Sequence, residues 1–101
     1  DYIQTPLVRG GNNHVYHLYV VRTPKRDELQ THMNKAGIST GIHYPVALPF
    51  LKAYSRLEHR PEEFPVACQY QGEILSLPMY PELTNQMTQY MVATLSKFHK
   101  S

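Results

Sequence analysis

The sequence predicts an α+β fold, a small, mostly antiparallel three-stranded sheet with helices packed on it. Three observations carry that expectation. One helix, residues 24 to 36, has its own start and stop signals, and three strand-like runs are set apart by turn residues. The elements also follow one another as β-α-β-(α)-α-β-α, too irregular for a doubly wound parallel sheet. The chain has 101 residues, of which 42% are apolar. That is the size of one domain with one small core.

The first strand is expected over His14 to Arg22, where Val15, Tyr16, Leu18, Tyr19, Val20 and Val21 supply bulk to both faces. Such a run suits a strand that is central in its sheet. Thr23 is a suitable N-cap for the helix that follows, and Pro24 fits its first position. Leu29, Met33 and Ala36 recur at i, i+4 and i+7, the spacing of a buried helical stripe. Gly37 stands where a left-handed residue would end the helix, and Ile38 can fold back on Met33 as in a Schellman motif.

The alternation of Ile38, Thr40 and Ile42 predicts a second strand over 38 to 43, ended by Tyr44-Pro45 because proline cannot donate to a ladder. Phe50 to Leu57 can form two helical turns, and Pro65 can open a helix running to Glu73, weakened by Gly72. Ile74 to Leu77, stopped by Pro78, reads as the third strand. Thr84 can cap a last helix to about His99, with Met87, Tyr90, Met91, Leu95 and Phe98 on one stripe.

Composition narrows the function classes. Ten basic against eight acidic residues give a formal charge of +2, without the basic stripe that nucleic-acid binding calls for. No stretch approaches the roughly 20 apolar residues that span a bilayer. Cys68 is the single cysteine, so no internal disulfide can form, and a reducing, cytoplasmic setting is the simpler expectation. Asp1 to Pro6 have no signal-peptide pattern and no initiator methionine. The chain therefore reads as a processed product, an excised piece or a fragment of something larger, and the fragment is the favoured expectation.

Six histidines raise the question of a metal. His14 and His17 would lie on opposite faces of the first strand, and no second pair has ligand spacing, so no metal site is expected. No phosphate-binding Gly-rich motif occurs. The segment Thr40-Gly41-Ile42-His43-Tyr44-Pro45 differs from the rest. It sets a glycine, an imidazole and a phenol at a strand end before a proline-stiffened loop. Gly41 permits a close approach by backbone or ligand, and His43 and Tyr44 can bond phosphate or sugar oxygens. The alternative is that the pair caps the sheet edge.

Several runs together carry a resemblance: His14 to Arg22, Arg26 to Leu29, Gly37 to Pro45, Ala53-Tyr54, Phe64 to Ala67, and Glu73 to Thr84. In their order and spacing they resemble the C-terminal small domain of the DegT/DnrJ/EryC1/StrS family of PLP-dependent nucleotide-sugar aminotransferases. The likeness covers about 14 to 98.

It implies that residues 1–13 link to a large domain outside this chain and that 14–101 form the small domain. It also implies a parent enzyme, a transaminase with PLP on a lysine of the large domain. That parent acts on a nucleotide-linked keto-sugar, with its site at a homodimer interface. His43 and Tyr44 inherit a substrate-binding role, while no catalytic or cofactor-binding residue is expected here. Leu48-Pro49-Phe50 stands where many members carry a histidine. The competing expectation is a stand-alone, non-enzymatic α+β binding or interaction module.

Overall fold

A computed structural model describes residues 3–100. Strand β1 (Tyr19–Arg22) leads into helix α1 (Arg26–Lys35), and helix α2 (Pro65–Tyr70) into strand β2 (Ile74–Leu77). Helix α3 (Asn85–Lys100) closes the chain. Between α1 and α2 lie short 3-10 turns at Leu48–Phe50, Lys52–Leu57 and Pro61–Glu63.

Among the described residues the sheet has two strands rather than three. β1 and β2 pair antiparallel with Tyr19 opposite Leu77 and Val21 opposite Leu75. Single antiparallel bridges extend the pair outward, Gln4 to Arg22 on one side and Gly41 to Ser76 on the other. The strand expected over 38 to 43 is thus reduced to one bridge. Its first residue is used elsewhere, because the Ile38 N–H donates to the Met33 carbonyl at 3.0 Å and the Ile38 side chain is buried. Only Gly41 is left to pair before the chain turns away at Pro45.

The first strand is also shorter than its composition suggests. Tyr16 has a positive φ of 49°, its N–H bonds to His14 Nδ1 at 2.8 Å, and the two rings stack. This local turn withdraws residues 14–18 from the ladder, so the opposite-face placement of His14 and His17 on a strand does not hold.

Helix α1 starts two residues later than expected. Thr23 Oγ1 accepts from the Lys25 N–H, so it caps the turn that precedes the helix. Its C-terminus follows the sequence closely. Gly37 has φ 79°, and its N–H bonds to the Asn34 carbonyl beneath the Ile38–Met33 bond, the two hydrogen bonds of a Schellman motif. The Tyr90 hydroxyl donates to the Ala36 carbonyl at 2.7 Å, tying α3 to this end. At the other end Arg26 donates to the Ile74 carbonyl at 3.2 Å. Helix α2 ends at Tyr70 rather than Glu73, where successive turns lead into β2. Thr84 caps α3 as expected, accepting from the Met87 N–H at 3.1 Å.

Alternation along the strands gives the sheet two unlike faces. Val21, Leu75 and Leu77 point toward the helices and join Leu29, Met33, Ile38 and Met91 in the core. Burying each such side chain contributes about 1.5–3 kcal/mol. Farther along this face an apolar groove of about 700 Å³ runs beside α3, between Leu77, Leu83, Met91 and Leu95. No helix among the described residues is long and apolar enough to cross a membrane.

The opposite face carries Arg22, Ile74 and Ser76. Arg22 pairs with Glu73 at 2.7 Å, bonds Gln4 and lies 4.1 Å over the Tyr70 ring. A hydrogen bond from Gln69 and the ion pair with Arg22 hold the Glu73 carboxyl below its usual range, against the opposing effect of burial. A carboxyl lowered in the folded state adds stability above the unfolded-state value and loses it as pH falls through the folded one. Glu73→Gln is therefore expected to be less stable than the native chain at neutral pH. Urea titrations between pH 7 and 3 should show that gap closing.

Candidate functional site

The strand end singled out in the sequence lies on this second face. Gly41 and Ser76 exchange both backbone hydrogen bonds, at 3.0 and 2.7 Å. This fixes the start of the loop against β2. Ser76 is buried, and its side chain points away from its neighbours Leu75 and Leu77. It meets His43, whose Nδ1 lies 2.8 Å from Ser76 Oγ.

The His43 ring also covers Gly41. A Cβ at Gly41 would stand 2.7 Å from His43 Cε1 and 3.5 Å from both ring nitrogens. What glycine supplies here is the space that the His43 ring occupies, since its φ lies outside the left-handed region. The imidazole is thus seated on a backbone and pinned at one edge. No protein group among the described residues bonds Nε2.

Tyr44 follows across a cis peptide bond. The two rings meet edge to face, 5.4 Å apart. Tyr44 is 72% exposed, and its hydroxyl has no protein partner among the described residues. Beyond it a hollow of about 610 Å³ is bounded by Val46, Leu51, Tyr70 and Ile74. The Ala47 N–H donates to Gln71 Oε1 at 2.8 Å, fastening the far end of the loop to the residue that follows α2.

The structure sets the His43 and Tyr44 rings edge to face and adds one residue that the sequence reading passes over, Ser76. Ser76 read only as part of a strand, although a lone hydroxyl between Leu75 and Leu77 signals a buried group needing a partner. Gly41 was noted for close approach, but the group that approaches it is His43 itself. The larger groove beside α3 lies on the helix-bearing face, and neither His43 nor Tyr44 lines it. Among the described residues no three His, Cys, Asp or Glu side chains converge as a metal site would need.

Comparison with known proteins agrees with this architecture. The sequence profile of the DegT/DnrJ/EryC1/StrS aminotransferase family matches residues 2–96. The "Pleiotropic regulatory protein" of Geobacillus stearothermophilus is 38% identical over 100 residues, 99% of this chain and 27% of that protein. A dTDP-3-amino-3,4,6-trideoxy-alpha-D-glucose transaminase from Streptomyces venezuelae is 40% identical over 82 residues, 80% of this chain and 21% of the enzyme.

The crystal structure of DesV from the latter organism, in complex with a ketimine intermediate, superposes with a TM-score of 0.95 at 30% identity. All of this chain and 27% of DesV are covered. The chain spans about a quarter of the length of the relatives it matches. A profile match over nearly every residue and the shared fold together settle its kinship: the chain belongs to the DegT/DnrJ/EryC1/StrS aminotransferase family.

Proposed function

We propose that the chain is the C-terminal small domain of a cytoplasmic, homodimeric PLP-dependent aminotransferase acting on a nucleotide-linked keto-sugar. In this reading residues 1–13 lead in from a large domain, 14–101 form the small domain, and His43 and Tyr44 contact the nucleotide sugar. One observation carries the assignment to these two residues. His43 is seated on Gly41 and pinned by Ser76, which leaves Nε2 and the neighbouring Tyr44 hydroxyl for ligand oxygens.

The residues of this chain do not suit PLP as an anchor. Lys25, Lys35, Lys52, Lys97 and Lys100 are all solvent-exposed. A lysine that forms a Schiff base is activated by desolvation or by a neighbouring cation. The cofactor is accordingly assigned to the large domain, where it would serve as electron sink for the amino transfer. The part left to this chain is to bind and orient the sugar nucleotide.

Two measurements test the reading. Titrating the 15N-labelled chain with dTDP should shift resonances of residues 41–47, and a flat response there would remove the substrate role of His43 and Tyr44. Incubation with PLP followed by borohydride should give no stoichiometric adduct. A single lysine modified to completion would overturn the assignment of the cofactor elsewhere.

A further inference from the structure

The Ser76 hydroxyl is buried on a strand whose flanking side chains lie in the core. Its one hydrogen-bond partner among the described residues is His43 Nδ1, at 2.8 Å. Two arrangements fit that distance. The hydroxyl can donate to an unprotonated Nδ1, or a protonated Nδ1 can donate to Oγ. In the second, the serine proton is left inside the protein without an acceptor. A buried donor without a partner is costly, and the first arrangement carries no such cost.

Neutral imidazole carries one ring proton. An acceptor role at Nδ1 therefore places that proton on Nε2, the nitrogen that no protein group among the described residues bonds. Gly41 completes the seat, since the ring lies where a side chain would otherwise be.

We infer that Ser76 is a positioning residue that holds neutral His43 in the Nε2–H tautomer, so that His43 meets its ligand as a hydrogen-bond donor. The identity of that ligand rests on the nucleotide-sugar reading above; the tautomer does not. A donor at this point suits the oxygens of a diphosphate or sugar, which accept, and would discriminate against a group that can only donate.

The test is a two-bond 1H–15N correlation of the histidine rings in the 15N-labelled chain, recorded where the rings are neutral. His43→Gln identifies the His43 signals by their loss. The native chain should show His43 with Nε2 protonated and Nδ1 unprotonated. Ser76→Ala should move His43 toward a mixture of tautomers, and Ser76→Thr, which keeps the hydroxyl, should restore the native pattern.

A native pattern with Nδ1 protonated overturns the inference, as does a Ser76→Ala pattern identical to native in a chain with an intact amide spectrum. If Ser76→Ala does not fold, the native and Ser76→Thr spectra decide: both must show Nε2 protonated. Adding dTDP to the native chain separates the two readings. A shifted Nε2 supports both, while an unmoved Nε2–H signal retains the tautomer and overturns the nucleotide role.

Discussion

Met33→Ala is expected to lower the free energy of unfolding by about 2–5 kcal/mol, the usual cost of truncating a large core side chain to alanine. Met33 is fully buried, at 0% exposure, where α1 meets the sheet. Alanine has at least as high a helix propensity, and the Met33 carbonyl would still accept from Ile38 and Ala36. The loss therefore isolates the cavity and the missing contacts with the rest of the core. Domains of this size are stable by about 5–15 kcal/mol, so a large share of the total is at stake.

Urea unfolding should show a lower midpoint with an unchanged slope. Val92→Ala is the control, on α3 but 52% exposed, and should stay within about 0.5 kcal/mol of native. A Met33 effect no larger than that of Val92 would mean the core is placed elsewhere.

Gly41→Ala should be the most damaging small change at the site. The new methyl would meet His43 Cε1 at 2.7 Å, and the ring cannot yield without giving up Ser76. Under the proposed function, dTDP affinity should fall nearly as far as in His43→Ala. Losing a hydrogen bond to a charged group costs about 1.5–3 kcal/mol, roughly a 10- to 150-fold weaker Kd by calorimetric titration. The amide spectrum away from residues 41–47 and 76 should change little. Native-like affinity in Gly41→Ala would show that the seat of His43 does not matter to binding.

The parts of this molecule that follow from neighbouring residues were legible in the sequence. The Schellman end of α1 needs only Met33, Gly37 and Ile38, and the start of α3 needs only Thr84 and Met87. The sheet was harder to read, because pairing depends on what each residue is already committed to. Ile38 fits a strand by type, but its N–H belongs to the helix end. Tyr16 fits one too, until His14 draws its N–H into a local turn. At the site, the resemblance and the Gly41–Pro45 pattern pointed to His43 and Tyr44. Ser76 lies 33 positions from His43, a contact that no local pattern reports.

The fastening of residues 41–47 has a thermodynamic consequence. The loop is tied at its start by the Gly41–Ser76 pair, near its middle by His43, and at its end by Ala47 on Gln71. Most of the freedom such a segment would lose on meeting a ligand has thus been lost already, when the chain folded. Ordering costs charged to folding are not charged again to association. A ligand held by only two side chains here would keep more of its interaction energy as affinity than one that had to freeze a loose loop around itself.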